Sequence, residues 1–279
     1  MHIVVGADGL LGAQLVSALR SSGHEVVGTS RRAGADLPLD LATVEPSWAP
    51  PRGCRVAYLC AGITSLAVCR DEPARSRRVN VEGLGYVAQA LLSKGVFVVL
   101  PSTSLVFDGS RAFRRADEPP DPLTEYGRQK ADAERLILQS PHAAVVRMTK
   151  VVGPGMALLT TWRRALEQGD AVRPFADKVL SPVSLGSVVD ALRQVGDVRL
   201  EGITQLSGDR DITYADAAAR IAERVGAPAS LVRPASCLES AVDPGLEPRH
   251  TTLDSSRARH ALALAPESVW QVVDAGAGL

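Results

Sequence analysis

The stretch His2-Ile3-Val4-Val5-Gly6-Ala7-Asp8-Gly9-Leu10-Leu11-Gly12 decides how this chain is read. Its first four residues are a short apolar run ending in glycine, the signature of a buried strand. After the glycines, Leu11, Leu15, Val16 and Leu19 recur at helical spacing, and Gly23 follows as a stop. A strand, a glycine turn and a helix opening in succession are the context that gives such glycines meaning. Gly6 permits the tight turn, Gly9 lets backbone approach a pyrophosphate, and Gly12 allows close helix–strand packing. The phosphate would sit on the helix N-terminus, where unpaired N–H groups and the dipole favour anions. The spacing is GxxGxxG rather than GxGxxG, so the pattern alone leaves a ligand-free glycine turn as the alternative.

Outward from this turn the same alternation continues. His24–Thr29, Arg55–Cys60, Val96–Leu100 and Ala143–Arg147 read as strands. Val79–Leu92, with Leu84, Val87, Ala88, Leu91 and Leu92 on one stripe, and Thr124–Leu138 read as helices. Strands alternating with helices predict βαβ units. The expected fold is therefore α/β, a Rossmann-type doubly wound parallel sheet, with ligands outside the carboxyl ends of its strands. Gly153-Pro154-Gly155 breaks the pattern. Helical segments at Met156–Gln168, Leu185–Val195 and Tyr214–Val225 follow, and Pro228, Pro234, Pro244, Pro248 and Pro266 punctuate the remainder. The expected organisation is a dinucleotide-binding domain over 1–150, to which 183–207 returns, and a smaller, loop-rich α/β substrate-binding lobe over 151–182 and 208–279, a lid over the sheet edge.

Composition narrows the function. The chain has 279 residues and zero formal net charge. That balance argues against nucleic-acid or anionic-membrane partners, which need a basic excess. No apolar run approaches a membrane span, and no signal peptide is visible at the start, so a cytoplasmic protein is expected. The four cysteines show no CxxC spacing and no accompanying histidine cluster, so neither a disulfide framework nor a metal site is expected.

The second strand tells which dinucleotide. NAD sites usually place an acid at its end, for the ribose hydroxyls. Here that place reads Gly28-Thr29-Ser30-Arg31-Arg32. Guanidinium beside hydroxyl suits a 2′-phosphate. NADP(H) is expected over NAD(H), with Ser30, Arg31 and Arg32 as contacts; solvated loop charges are the alternative. Asp40 and Leu41 are expected near the adenine, and Cys60, Ala61 and Gly62, after the third strand, at the same groove.

Tyr126-Gly127-Arg128-Gln129-Lys130 is a YxxxK pair, whose spacing puts both side chains on one helix face. With four tyrosines and only Lys94, Lys130, Lys150 and Lys178, chance yields such a pair roughly 0.06 times. A cation near a phenol favours phenolate, so Tyr126 can exchange a proton with a carbonyl or carbinol oxygen, while Lys130 can hold the nicotinamide ribose. Ser102-Thr103-Ser104 follows a strand, where a hydroxyl can polarise the substrate oxygen; plain turn chemistry is the alternative. Asn80 is expected to tie down backbone, and Asp108-Gly109 to make a turn.

These residues resemble the extended short-chain dehydrogenase/reductases, and within them the dTDP-4-dehydrorhamnose reductase, or sugar-nucleotide-binding, family. The resemblance rests on the glycine turn, Asn80-Val81-Glu82-Gly83, Ser102–Gly109, Glu118–Leu123, Tyr126–Lys130, Val146-Arg147-Met148, Ser181-Pro182-Val183 and Pro248–Asp254. It implies reduction of a 4-keto group on a nucleotide-activated deoxysugar by NADPH, with Thr103, Tyr126 and Lys130 catalytic and Tyr126 the general acid. It implies substrate contacts from Ser102, Thr103, Ser104, Met148 and Arg249, the last either at the diphosphate or in a structural salt bridge. It also implies a homodimer through Val79–Leu92 and Thr124–Leu138. The family often has aspartate where this chain has Ser104. The early glutamate of metal-linked dimers is absent beside Gln14, so no magnesium-bridged dimer is expected. An NAD(P)-dependent sugar-nucleotide epimerase or dehydratase and a non-catalytic NADP-binding regulatory subunit are the competing readings.

Overall fold

β1 (His2–Val5) is buried along its whole length, as a strand covered on both faces by helices must be. The computed structural model describes residues 1–32, 34–45, 47–237 and 248–279; Pro244 lies outside them. After β1 come α1 (Leu10–Ser21), β2 (Val26–Ser30), β3 (Leu37–Pro38), β4 (Val56–Leu59), α2 (Leu66–Asp71), α3 (Pro73–Arg77), α4 (Leu84–Leu92), β5 (Phe97–Thr103), α5 (Glu125–Ile137) and β6 (Ala143–Met148). Then follow β7 (Val151–Val152), α6 (Ala157–Glu167), β8 (Val179–Leu180), β9 (Val183–Ser184), α7 (Leu185–Val198), β10 (Gly202–Leu206), β11 (Ile212–Thr213), α8 (Tyr214–Val225), α9 (Ser256–Leu262) and α10 (Val269–Ala277).

The main sheet has seven strands in the order β10-β6-β5-β4-β1-β2-β3. The pairs β1–β2, β1–β4, β2–β3 and β4–β5 are parallel. This is the mostly parallel Rossmann-type α/β fold. The chain leaves β1 toward β2 and β3, then crosses back to β4, so the order reverses at β1. A crevice opens outside the carboxyl ends at such a reversal. The register aligns Val5 with both Thr29 and Leu59. Gly6, Ser30 and Cys60, the next residues, therefore lie along one sheet edge.

The chain divides into two compact units. The first holds Met1–Phe107, Pro119–Arg147 and Val189–Thr204; the second holds Asp108–Glu118, Met148–Val188 and Gln205–Leu279. Each has its own apolar core. In the first, Ile3, Val5, Leu59, Val98, Leu100 and Val145 of the sheet pack with Val87, Leu91 and Ile137. In the second, Leu159, Trp162, Ile221, Val269 and Val273 gather α6, α8 and α10. α8 is fixed at both ends: Thr213 and Asp216 form a capping box, and Gly226 takes the left-handed conformation that terminates it. α9 and α10 occupy the stretch read as loop, because each is short and prolines flank them.

Two elements differ from the sequence reading in ways that matter to the site. β5 runs through Pro101 to Thr103, rather than ending at Leu100. The helix expected from Val79 begins as a π-helical turn, Arg78–Gly83. Gly83 lies so close to Leu41 that a Cβ there would stand 1.8 Å from its carbonyl oxygen. Single π turns of this kind recur at functional sites.

At the opposite end of β1, His2, His24, Tyr58 and Asp197 cluster. His24 Nε2 lies 3.4 Å from Asp197 Oδ1, Asp197 pairs with Arg193 at 2.8 Å, and the Tyr58 hydroxyl is 3.5 Å from His2 Nδ1. Burial, then the charge on His24, push His2 down to about 4 from 6.5. An imidazole depressed on folding binds its proton more tightly when unfolded, so its contribution to stability rises as pH increases from about 4 to 6.5. His2→Gln is expected to flatten that rise, measured as melting temperature against pH. Among the described residues, no helix is long and apolar enough to cross a membrane.

Candidate dinucleotide and catalytic site

The glycine turn is built as its spacing predicts. Gly6 has φ +86°, and a Cβ there would stand 2.7 Å from Ala61 backbone. A Cβ at Gly12 would stand 2.1 Å from the Gly6 carbonyl oxygen. Gly6 and Ala7 N–H groups donate to the Thr29 carbonyl at 3.0 and 2.9 Å, pinning the turn to β2. Leu10, Leu11 and Gly12 form the first turn of α1. Gly9, its N-cap, offers no side-chain cap, and that turn holds no acid. Its amide donors stay open to an anion.

A groove of about 260 Å³ lies over this turn. Gly6, Asp8 and Gly9 form its floor, Ser30 and Arg31 one wall, and Asp40 and Leu41 the far end. Cys60, Ala61 and Gly62 close it from β4. The structure thus gathers most of the expected cofactor contacts in one place. Leu10, Leu11, Gly12, Tyr126 and Lys130 are not among the groove's lining residues, and neither is Arg32. Arg32 Nε pairs with Asp8 at 3.1 Å, which neutralises the one acid in the phosphate turn, while Arg31 lines the groove itself. Asp36 accepts from Gly28 N–H at 2.9 Å and from Arg20 at 3.1 Å. Thr29 also lines the groove, and its buried hydroxyl has no partner among the described residues. The orphaned hydroxyl, the open helix terminus and the glycine cradle together fit a nicotinamide dinucleotide.

Asn80 holds the groove's β4 side, as expected of a backbone anchor. Its side chain accepts from Ile63 N–H at 2.7 Å and donates to the Ile63 carbonyl at 2.9 Å. It donates also to Gln129 Oε1 at 2.9 Å, and Gln129 donates to Ser76 Oγ at 2.8 Å and to Glu125 at 3.0 Å. The π turn, the β4 loop and α5 are thereby locked together.

α5 carries Tyr126 and Lys130. Thr124 caps it, its hydroxyl accepting from Gly127 N–H at 3.0 Å. A Cβ at Gly127 would stand 2.1 Å from the Leu105 carbonyl oxygen, so α5 packs directly on the turn after Thr103. Thr103 Oγ1 accepts from Leu105 N–H at 3.2 Å, which leaves its proton to donate. Lys130 is buried and donates to the Pro101 carbonyl at 2.7 Å. Burial pushes its ammonium down to about 8, opposed by the charges of Glu134 and Cys60. Cys60 lines the groove, and Lys130 is not among its lining residues. Burial, then the charge of Cys69, push the Tyr126 phenol well above its usual value. The lysine does not dominate the phenol's titration, and Tyr126 is held protonated.

Ser102 and Ser104 diverge from Thr103. Ser102 donates its buried hydroxyl to Glu134, and Ser104 opens a short 3₁₀ turn through Val106. Met148 is buried and Arg249 exposed; both belong to the second unit. The segment around Arg249 is held by Asp211, which accepts from Thr251 N–H at 2.9 Å, Thr252 N–H at 3.0 Å and the Thr251 hydroxyl at 3.0 Å. His250 N–H donates to the Gly109 carbonyl at 3.0 Å, in the turn expected at Asp108-Gly109. Asp211 and Glu134 carry no motif, and sequence reasoning missed both.

The RmlD substrate binding domain family matches residues 1–275. The chain belongs to that family. It is 31% identical over 279 residues to a dTDP-4-dehydrorhamnose reductase of Streptomyces griseus, a match covering 96% of this chain and 90% of that one. This RmlD-family chain is also 26% identical to the methionine adenosyltransferase 2 subunit beta of Bos taurus, covering 91% and 80% of the two chains. Its fold matches the Bacillus anthracis dTDP-4-dehydrorhamnose reductase in complex with NADP, with TM-score 0.82, 20% identity and coverage of 98% and 95%.

Proposed function

We propose that this RmlD-family protein is an NADPH-dependent oxidoreductase of the short-chain dehydrogenase/reductase type, reducing a 4-keto group on a nucleotide-activated deoxysugar. The observation that carries the reading is the groove over the glycine turn, with Tyr126 and Lys130 on α5, a helix packed through Gly127 against the turn that follows Thr103. When bound, the dinucleotide supplies hydride to the carbonyl carbon. The chain's own residues handle the oxygen. Thr103 donates a hydrogen bond to the carbonyl, which develops negative charge as reduction proceeds. Tyr126, held protonated by burial, gives up its proton to that oxygen. The Lys130 ammonium offers donors to ribose hydroxyls. The amides of the first α1 turn take the pyrophosphate.

Arg31 is the residue assigned to a 2′-phosphate. Loss of a charge-assisted hydrogen bond costs about 1.5 kcal/mol, roughly tenfold in affinity. Arg31→Ala is therefore expected to weaken NADPH about tenfold and leave NADH unchanged, read by fluorescence titration. An unchanged ratio of the two affinities contradicts the assignment.

A homodimer through α4 and α5 belongs to the same reading. A groove of about 550 Å³ lies between these helices, and Tyr86 and Leu136 at its lining are partly exposed. Light scattering of the purified chain reads the mass directly.

The test of function is NADPH consumption with a panel of dTDP- and UDP-4-keto sugars. Turnover on one of them supports the reductase. Tight NADPH binding with no turnover on any favours a non-catalytic subunit; the Bos taurus relative is itself named a subunit.

A further inference from the structure

One buried carboxylate touches every element that carries the trio. Glu134 is 2% exposed and lies one helical turn after Lys130 on α5. It accepts from the Ser102 hydroxyl, and Ser102 immediately precedes Thr103 on β5. It also pairs with Arg147 on β6, whose Nη2 lies 2.8 Å and Nε 3.1 Å from Oε2. The Arg147 guanidinium, 1% exposed, stacks 4.9 Å from the centre of the Phe107 ring. Lys130 meanwhile donates to the carbonyl of Pro101, the residue before Ser102. The lysine and the carboxylate thus grip adjacent residues of one strand end, one turn apart on one helix.

We propose that Glu134 is a positioning residue: through Ser102 and Arg147 it fixes the strand end bearing Thr103 against the helix bearing Tyr126 and Lys130. The assignment rests on the reading of Thr103, Tyr126 and Lys130 as the reacting trio. Stability alone is a poor reason for this arrangement. Desolvating two charges offsets most of their attraction, and buried ion pairs are often no more stabilising than apolar replacements. Removing the carboxylate alone, by contrast, leaves Arg147 buried without its partner.

Lys130 faces Glu134 on its own helix and Cys60 at the end of β4, while Arg147 faces Glu134 from β6. Burial depresses the ammonium, and the charges of Glu134 and Cys60 resist. Loss of the Glu134 charge removes the first of these resisting causes, so Lys130 deprotonates at lower pH. The alkaline limb of the pH profile of turnover moves the same way.

Two variants test the proposal. Glu134→Gln removes the charge and keeps an amide oxygen that accepts from Arg147 and from Ser102. The chain has only Lys94, Lys130, Lys150 and Lys178, so nitrogen-15 NMR of labelled lysines resolves the Lys130 Nζ titration, assigned with Lys130→Arg. In Glu134→Gln its midpoint is expected to fall by on the order of one pH unit from the wild-type value, because Arg147 keeps its charge. Ser102→Ala keeps the ion pair and releases only the strand end. It is expected to lower kcat on the keto sugar about tenfold or more, with the KM for NADPH and for sugar unchanged, because misplacement by fractions of an ångström slows the reaction without weakening binding. A raised KM for the sugar instead would make Ser102 a substrate contact and overturn the positioning role. A Lys130 midpoint unmoved in folded Glu134→Gln would also overturn it, leaving the pair purely structural. The lysine titration is made without cofactor or substrate. It therefore decides the role of Glu134 separately from whether any keto sugar is turned over.

Discussion

Tyr126→Phe is expected to lower kcat by about 10²- to 10⁴-fold, the range that positioned general acid catalysis supplies. Its effect on NADPH affinity is expected to be small. The phenol is half-buried and desolvation raises its pKa, so at neutral pH the hydroxyl is a proton donor, and the ring remains in phenylalanine to fill the same space. The cost falls in the transition state alone, which places the loss in kcat and kcat/KM rather than in binding. The measurement is steady-state NADPH oxidation beside a direct binding titration. Turnover unchanged in Tyr126→Phe would remove the tyrosine from the chemistry. A loss confined to NADPH binding would make its role one of holding the cofactor.

The second large effect is at the glycine turn. Gly12→Ala introduces a Cβ that would meet the Gly6 carbonyl oxygen at 2.1 Å. Neither partner can yield easily, because both are backbone: Gly12 lies in the first turn of α1, and Gly6 N–H is bonded to the Thr29 carbonyl. Overpacking of this kind costs roughly 3 kcal/mol or more. In a chain of this size that lowers the melting temperature by about 6–12 °C. The displaced turn also turns its amides away from the pyrophosphate. Dinucleotide affinity is therefore expected to fall by at least tenfold, the equivalent of about 1.4 kcal/mol. Calorimetry of the variant, with and without NADPH, separates the two losses. Gly23→Ala is the control. Gly23 has positive φ but nothing within 4 Å of an added Cβ, so it is expected to lose a little stability and no cofactor affinity.

The parts of the molecule that were legible in the sequence are those encoded locally. β1, the turn and α1 are contiguous in the chain, and three glycines at fixed spacing report backbone constraints that the structure then displays at Gly6 and Gly12. The YxxxK pair was legible for the same reason, since four residues on a helix put both side chains on one face. Pro101 misled the reading of β5. A proline commonly ends a strand, yet this strand continues to Thr103 and uses the Pro101 carbonyl to hold Lys130. The π turn before α4 was invisible because its cause is remote: Gly83 sits against Leu41, 42 positions earlier in the chain.

Glu134 and Asp211 were illegible for a related reason. Glu134 meets Ser102, 32 positions away, and Arg147, 13 positions away. Asp211 holds Thr251 and Thr252 across 40 and 41 positions. An isolated carboxylate in a sequence carries no sign of whether it will be solvated or buried. The scarcity of lysine and the abundance of arginine did carry information of another kind. Arg31 and Arg32 looked equivalent in the sequence, but Arg32 pairs with Asp8 and only Arg31 lines the groove. One of two adjacent guanidinium groups thus pairs at the phosphate turn, and the other lines the groove.

The central claim is that a dinucleotide in the groove over Gly6–Gly12 reduces a keto group presented to Tyr126 and Thr103. Incubation with a dTDP-4-keto-6-deoxy sugar and NADPH deuterated at the transferring position of the nicotinamide tests it in one step. The account predicts a reduced sugar nucleotide carrying one deuterium on the new carbinol carbon, formed in equal amount to the NADP produced, and absent with Tyr126→Phe. Bound NADPH that keeps its deuterium while the keto sugar is recovered unchanged would contradict it.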